Sequence, residues 1–491
     1  MNGLFSLFKR RYPLNKSLRV LLLGIDGASW NILDPIMEEG MMPVLKSLME
    51  KSSAGLLKSN QPYISPSVWT TIMTGKSREK HGILGFYNSK SDLKARRVWE
   101  ILNYNSIPVG TLGVFLTSPP EKKYLFQIPA WIKVDNTTYP EKYSPALNWD
   151  INDDLILSDN CGITEKTKKY IRDCKKDPER FRYRYHFAQM YIQTDIFLNM
   201  LRESEPGFSA MVYYGSDALL HWYMHHYNPD WFPGLEIEND PELARIIPDY
   251  FKELDSELGR ILNSIPKDCS VLIVSDHGQI PSPKELYLGY RLAETEILKL
   301  LGIWDIAKPS FTNNIIRIEI PESKIERIYR ILFESRIVEP DLPLLNGIKM
   351  QKNHLELEFN IILNKDPKLN TYSFTLNGET YPLSRVLIPF RRFGIHGEDG
   401  LYIFSGKKFK TGIRGPAMNI KDILPHILTD LDLPSAKDLD GKIYPEIFKE
   451  GTAFTDKMVE SYDDLIPPES NSGVSDNEKV KKQLKSLGYI E

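Results

Sequence analysis

A set of acidic residues and histidines stands beside apolar runs of this 491-residue sequence. The acids and the first histidine follow such runs directly or after a short turn, and the last histidine precedes one. The set comprises Asp26, Asp217, Asp276, His277 and His396. Carboxylates and imidazoles are the ligands that zinc and related divalent ions bind in proteins. The pattern therefore predicts a metal site assembled from distant parts of the chain.

His221 extends this set, because it follows Asp217 at the i, i+4 spacing that places two side chains on one helix face. Taken alone, the pair also fits a helix-starting aspartate and an ordinary histidine. Asp276 similarly fits a turn in which it caps a following helix, and Asp26 fits a plain strand-ending turn. The metal interpretation depends on the whole set, since a charged residue directly after the apolar run 271–274 is costly unless something neutralises it.

Ser65 opens a segment, Ser65–Gly75, whose two ends carry helix signals. A serine followed by Pro66 predicts a helix start with Ser65 as the N-cap and Pro66 as the first helical residue, and Gly75 predicts the helix end. Capping alone would account for this serine. However, a helix N-terminus offers free N–H groups and a positive dipole end, which favour a phosphate or an alkoxide. Beside a metal, Ser65 would be an activated nucleophile, with Ser67 as the weaker candidate.

In their order along the chain, these motifs resemble the alkaline phosphatase superfamily, and most closely its type I phosphodiesterase/nucleotide pyrophosphatase branch. The resemblance covers about residues 18–450, except most of 285–391. The motifs that carry it are Asp26-Gly27, Ser65–Gly75 with His81-Gly82-Ile83, Asp217-x-x-x-His221, Ser275-Asp276-His277-Gly278 and Gly394-x-His396. Sulfatases fit less well, because Ile64 and Val68 stand where their nucleophile and arginine belong. Cofactor-independent phosphoglycerate mutases carry their large insertion at a different point.

The resemblance implies two divalent metal ions, normally zinc, with manganese as the alternative. One ion would be held by Asp217, His221 and His396. The other would be held by Asp26, Asp276, His277 and the oxygen of Ser65. Ser65 falls on the nucleophile position, where many relatives have threonine, so the hydroxyl is kept. The positive charge of two divalent ions would exceed the negative charge of three aspartates. The remaining positive charge would attract a phosphate anion, and the ions would lower the pKa of the serine hydroxyl.

The activity that the resemblance implies is hydrolysis of phosphoric esters through a covalent phosphoserine. Phosphodiester or nucleotide pyrophosphate substrates are favoured, and the expected partner is a small phosphate ester. Two alternatives stay open: a phosphomonoesterase or phosphoryl transferase of the same superfamily, and a metal-stabilised binding protein with little turnover. His81 is expected to pack the exit of the serine helix rather than to bind metal.

These side chains need strands and helices that bring them together. The continuous apolar runs 17–25, 111–115, 210–214 and 270–274 predict strands buried on both faces, and helical patterns at 42–51, 181–202 and 243–264 lie between them. This alternation predicts a three-layer, doubly wound α/β sheet, whose strand ends form the ligand crevice. We expect a tail over 1–17, the core over 18–284 and 392–455, a smaller α+β insertion over 285–391, and a tail over 456–491.

The composition limits the remaining function classes. With 62 basic and 65 acidic residues the net charge is −3, which gives no electrostatic footprint for nucleic acid. Three cysteines without metal spacing indicate a reducing compartment. The sequence lacks both a signal-peptide pattern and an apolar run of about 18 residues, so we expect a cytoplasmic protein without a transmembrane segment. The oligomeric state is not indicated.

Overall fold

The computed structural model describes residues 17–130, 136–144, 155–157, 162–176, 181–284, 289–312, 315–351, 354–359, 369–390, 392–455 and 457–467. In chain order, the strands are β1 (Val20–Ile25), β2 (Ser53–Lys58), β3 (Val109–Val114), β4 (Phe126–Pro129), β5 (Phe208–Tyr213), β6 (Ser270–Val274), β7 (Gly278–Pro281), β8 (Gly289–Leu292), β9 (Lys308–Thr312), β10 (Ile315–Glu319), β11 (Arg336–Ile337), β12 (Leu342–Pro343), β13 (Leu345–Gln351), β14 (His354–Phe359), β15 (Ser373–Leu376), β16 (Glu379–Pro382), β17 (Leu387–Phe390), β18 (Gly394–Gly397), β19 (Asp399–Ser405), β20 (Ile413–Arg414), β21 (Met418–Asn419), β22 (Ser435–Ala436) and β23 (Met458–Val459).

Along the chain, most α-helices of the described residues come between strands of the central sheet. They are α1 (Trp30–Glu38), α2 (Pro43–Met49), α3 (Ser65–Thr74), α4 (Arg78–His81), α5 (Val98–Tyr104), α6 (Glu165–Lys176), α7 (Phe181–Ser204), α8 (Gly215–Tyr227), α9 (Pro241–Leu262), α10 (Glu294–Leu300), α11 (Glu322–Phe333), α12 (Ile423–Asp430) and α13 (Tyr462–Leu465). Each helical pattern that we singled out in the sequence forms a helix, with ends shifted by a few residues.

The central sheet has the strand order β20-β2-β19-β6-β1-β5-β3-β4, and β21 also pairs with β2. Strands β6, β1, β5, β3 and β4 run parallel, whereas β19 runs antiparallel to both of its neighbours. Residues of β1 alternate between two cores: Leu21 and Leu23 face one, and Val20 and Leu22 face the other. A sheet covered on both faces accounts for the continuous apolar runs. The predicted three-layer α/β fold is confirmed.

The register of the central strands brings their carboxyl ends to one level. Ile25 of β1 pairs with Tyr213 of β5, and Gly24 pairs with Val274 of β6. Because Asp26 follows Gly24 by two residues and Asp276 follows Val274 by two, both aspartates emerge at the same edge of the sheet. This edge is where an open α/β sheet forms its ligand crevice.

The segment expected to be an insertion forms small sheets of its own. Strands β13-β14-β10-β9 make one four-stranded sheet and β12-β11-β15-β16 another. Buried residues such as Ile318, Leu355 and Phe374 share a separate hydrophobic core there. Strands β7 and β18 flank this segment in sequence and pair with each other, so the chain leaves and re-enters the central fold at one place.

Residues 457–467, the described part of the segment expected to be a tail over 456–491, pack onto the core, and the rest of that segment lies outside the described residues. Met458–Val459 pairs with Ser435–Ala436, and Tyr462 is buried. Asp463 forms an ion pair with the buried Lys76 at 2.6 Å. Pro467-Pro468, the serines within 470–475 and the mixed charge indicated a tail, but these contacts fold residues 457–467 onto the core. No helix among the described residues is both long and apolar enough to cross a membrane.

Candidate metal centre

Separate elements bring the predicted ligands to the carboxyl edge of the sheet. Asp26 directly follows β1, and Asp276 with His277 follows β6. Asp217 and His221 lie one turn apart in the first half of α8, which begins immediately after β5. The fold therefore collects on one edge residues that are up to 251 positions apart, because neighbouring parallel strands all end there.

Asp217, His221 and His396 form one group of contacts. The Asp217 Oδ1 atom lies 3.4 Å from His221 Nε2 and 3.2 Å from His396 Nε2. The two Nε2 atoms lie 2.9 Å apart. His396 reaches this group from β18, on the far side of the insertion in sequence.

Asp26, Asp276 and His277 form a second group. The His277 Nε2 atom lies 3.5 Å from Asp26 Oδ1 and 3.4 Å from Asp276 Oδ2. All three side chains are fully buried. His277 also lies within ligand-sharing distance of Asp217 and His396, so it stands between the two groups.

Each of the three histidines uses its Nδ1 atom to donate a hydrogen bond to a main-chain oxygen. A carbonyl oxygen can only accept, so each Nδ1 carries a hydrogen, and in the neutral ring Nε2 then presents a lone pair. The acceptors for His221, His396 and His277 are the oxygens of Gly394, Tyr63 and Gly278, at 2.6, 2.5 and 3.1 Å respectively. This pattern holds an imidazole in the tautomer that binds metal.

Several buried polar atoms of the second group, together with the hydroxyl of Ser65, find no hydrogen-bond partner among the described residues. They are Asp26 Oδ1, Asp276 Oδ2, His277 Nε2 and Ser65 Oγ. Leaving a buried polar atom unpaired costs about 1–3 kcal/mol, so such a cluster requires a cause. Carboxylate oxygens facing an imidazole lone pair fit a bound cation, which would satisfy all three. The donor set therefore fits a divalent metal ion.

The electrostatics of the site lead to the same requirement. Burial raises the pKa of Asp26 well above its ordinary value, and the nearby Asp276 and Asp217 carboxylates raise it further. Burial likewise raises the pKa of Asp276, with a further contribution from Asp217. For His221, burial lowers the pKa to about 3, which keeps the ring neutral. Clustered carboxylates beside neutral imidazoles can all stay ionised only when a cation balances them.

Ser65 is the first residue of α3 and is not its N-cap, contrary to the sequence prediction. The cap position belongs to Ile64, whose backbone is extended and whose oxygen accepts from the N–H groups of Ser67 and Val68. Pro66 is consequently the second helical residue. Ser65 Oγ does not cap the helix, and it has no hydrogen-bond partner in the part of the chain that the structure describes. The amides of Ser67 and Val68 are occupied, so the helix start offers its dipole but not these N–H groups.

Contacts on either side of Ser65 place the start of α3 against both groups. The oxygen of Tyr63, two residues earlier, accepts from His396. The indole of Trp69, one turn later on the same helix, donates to Asp26 Oδ2 at 2.9 Å. Ser65 is itself buried. A hydroxyl between these two contacts lies at the edge that carries the predicted metal ligands.

Ser67 and His81 have structural partners instead. Ser67 Oγ donates to the Ile83 oxygen at 2.8 Å. His81 Nδ1 accepts from the Ile83 N–H, which leaves Nε2 to donate to Thr71 Oγ1 at 3.0 Å. This tautomer is the reverse of the one that the site histidines adopt. His81 therefore packs the exit of α3, as expected, and Ser67 is the weaker nucleophile candidate.

The structure adds two side chains that sequence reasoning missed. Trp69 hydrogen-bonds Asp26, and Gln279 Nε2 donates to Asp217 Oδ1 at 2.5 Å. The i, i+4 spacing of Trp69 from Ser65 was a usable signal, since it puts both on one helix face. No comparable signal marks Gln279. Asp276 does not cap a helix, because strand β7 follows His277.

Comparison with known proteins gives a family match and a fold match. A sequence model described as type I phosphodiesterase / nucleotide pyrophosphatase matches residues 20–357. The match includes every predicted site residue except His396, which follows it in the chain. It is shorter than the resemblance drawn from motifs, which extended to about residue 450. A comparison with curated protein sequences finds no match.

Solved structures of low sequence identity are similar to this chain, and the first of them shares its fold. Human ectonucleotide pyrophosphatase / phosphodiesterase 5 is 14% identical, with a TM-score of 0.52, and the alignment covers 88% of this chain and 100% of that one. An inactive form of the murine protein, in complex with AMP, is 13% identical with a TM-score of 0.49 over the same shares of the two chains.

Proposed function

Because this chain belongs to the type I phosphodiesterase/nucleotide pyrophosphatase family of hydrolases, we propose that it cleaves phosphoric esters with two metal ions and Ser65. Asp217, His221 and His396 would hold one ion. Asp26, Asp276, His277 and the Ser65 oxygen would hold the other. Zinc suits the mixture of imidazole and carboxylate ligands, and manganese is the alternative. Phosphodiesters and nucleotide pyrophosphates are the proposed substrates.

The observation that carries this proposal is the tautomeric state of the three histidines. Each donates its Nδ1 hydrogen to a main-chain oxygen and so turns an Nε2 lone pair toward buried carboxylates. Two of these Nε2 atoms, on His221 and His396, lie 2.9 Å apart. Lone pairs at that distance repel unless a cation or a shared proton lies between them. The core histidine His426 adopts the same tautomer, but its Nε2 accepts from the Tyr444 N–H, whereas the site histidines turn this atom toward carboxylates.

When bound, divalent ions would neutralise the carboxylates, polarise the phosphoryl group and lower the pKa of the serine hydroxyl. Ser65 then supplies the nucleophile. Its Oγ forms a bond to phosphorus while the bond to the leaving alcohol or phosphate breaks, and the hydroxyl proton ends on the leaving group. Water next attacks the phosphoserine, which releases the phosphoryl product and restores the Ser65 hydroxyl.

The helix that carries Ser65 positions the serine hydroxyl and contributes the electrostatic field of its dipole. Ser65 lies at the N-terminal end of α3, a ten-residue helix whose positive dipole end favours the developing alkoxide. The helix is held against the metal ligands by the bond from Trp69 to Asp26. Burial of Ser65 excludes bulk water from the nucleophile.

A substrate panel with and without metal tests this proposal. Bis(p-nitrophenyl) phosphate should be hydrolysed by the zinc-loaded protein, and the activity should disappear with a chelator and return with zinc. The p-nitrophenyl monoester and the sulfate ester should be cleaved more slowly. A protein that binds zinc but turns over none of these esters would instead be a metal-stabilised binding protein. Faster cleavage of the monoester would contradict the diester preference alone.

A further inference from the structure

Gln279 is a fully buried polar residue next to the predicted ligands. It directly follows Asp276-His277-Gly278 and lies in β7. Its Nε2 atom donates to Asp217 Oδ1 at 2.5 Å. Because an ionised carboxylate can only accept hydrogen bonds, the NH₂ group is the end of the amide that faces Asp217.

The strand register places Gln279 beside His396. The two residues are direct partners in the antiparallel pair formed by β7 and β18. Opposite residues of an antiparallel pair project their side chains to the same face. One strand pair therefore presents both Gln279 and His396 to Asp217, and His396 Nε2 lies 3.2 Å from the same Oδ1 atom.

The main chain and the side-chain amide of Gln279 have separate neighbours. Asn31 Nδ2 donates to the Gln279 main-chain oxygen at 3.2 Å. On the other side lies Gly394, where a Cβ atom would come within 2.9 Å of Gln279 Oε1 and 2.6 Å of the Leu220 oxygen. A glycine at 394 thus leaves the space that the amide occupies. The Gly394 oxygen also accepts from His221, so the same residue contacts two members of the site.

We propose that Gln279 is the positioning residue of Asp217, holding this carboxylate in register with His396 for the ion that both would bind. This inference rests on the proposed function, since it presumes a metal at Asp217. The amide is neutral, so it orients the carboxylate without competing for charge with the ion. Groups that hydrogen-bond a metal ligand in this way typically contribute about 10–100-fold in metal affinity.

The test is a measurement of zinc affinity on the full chain. Gln279→Met keeps the length and the apolar stem of the side chain but removes the donor. Asn31→Ala is the matched control, because it removes a bond to the Gln279 backbone and leaves the Asp217 contact. Competition with a chromophoric chelator gives the dissociation constants of the successive zinc ions, and the melting temperature of the metal-free protein is recorded for each variant.

We expect Gln279→Met to weaken the binding of one zinc ion by about 10–100-fold and to leave the affinity for the other unchanged. Asn31→Ala should keep the wild-type affinity for both. A structural role alone would lower the melting temperature without changing the ratio of the two constants, and that result would overturn the inference. If Gln279→Met does not fold, Gln279→Asn is the second variant, because its amide is one methylene too short to reach Asp217. Wild-type zinc dissociation constants in Gln279→Asn would overturn the inference. A wild-type chain that binds no zinc refutes the proposed function itself, which separates the two failures.

Discussion

The Trp69 indole donates a hydrogen bond to Asp26 Oδ2 at 2.9 Å, and Trp69 follows Ser65 by one turn of the same helix. The bond occupies one oxygen of Asp26, while the other oxygen, Oδ1, has no hydrogen-bond partner among the described residues and faces His277. The helix that carries the proposed nucleophile is thereby fixed to a proposed metal ligand. Space for the indole comes from Gly24, where a Cβ atom would lie 2.4 Å from the ring.

Trp69→Phe should separate this hydrogen bond from the packing of the ring. Phenylalanine keeps an aromatic ring in the space beside Gly24 but cannot donate to Asp26. We expect the affinity for the zinc ion that Asp26 would bind to fall by about 10–100-fold. The value of kcat should fall as well, and the fold should be retained. Competition with a chelator and circular dichroism would measure both. Wild-type affinity and turnover in Trp69→Phe would show that the bond does not position Asp26.

Ser65→Ala should abolish turnover in a correctly folded protein. Loss of a nucleophile removes the covalent route and lowers kcat by several orders of magnitude. Ser65→Thr keeps the hydroxyl at the same helix start and should retain substantial activity. Ser67→Ala is the control, since it removes the bond to the Ile83 oxygen and should cost about 1 kcal/mol of stability with little change in kcat. An inactive Ser67→Ala beside an active Ser65→Ala would mean that the nucleophile is assigned to the wrong serine.

The zinc content of variants in each proposed ligand group should show whether the two groups bind separate ions. The wild-type chain, reconstituted with zinc, should hold close to two ions. Asp217→Asn and Asp276→Asn should each reduce this content toward one ion, because each replaces a buried charged ligand by a neutral amide. Elemental analysis after gel filtration is the measurement. If Asp276→Asn kept two ions and near-normal activity, the second group would not be a metal site.

Acid should destabilise the fold through His81. Burial lowers the pKa of His81 from 6.5 to about 3, with a smaller contribution from Arg78. The unfolded chain therefore binds the proton first, so this contribution to stability is complete above about pH 6.5 and decreases as the pH falls toward 3. His81→Asn lacks the titration, and its unfolding free energy should depend less on pH than that of the wild type in this window. Parallel curves in urea titrations at each pH would contradict this assignment.

The proposed ligand set could be predicted from sequence, because its signal is local. An aspartate or histidine that ends an apolar run is visible in a few residues, and parallel strands necessarily end at one edge of a sheet. Asp26, Asp217 and Asp276 were found in this way, and their convergence follows from the fold class alone. The α/β layers themselves were predictable for the same reason, since strands buried on both faces leave continuous apolar runs.

Only the tertiary structure decided how these residues are held. The partners of Asp26 and Asp217 are Trp69 and Gln279, which lie 43 and 62 positions away in sequence. Hydrogen-bond partners at such separations depend on how the helices and strands pack, and no residue pattern in one segment records that packing. Residues 457–467 illustrate the same limit. Their sequence indicates a tail, and only their contacts with Lys76 and strand β22 show that they pack onto the core. Sequence therefore determined which groups can do the chemistry, and packing determined their tautomers, their orientation and their freedom to react.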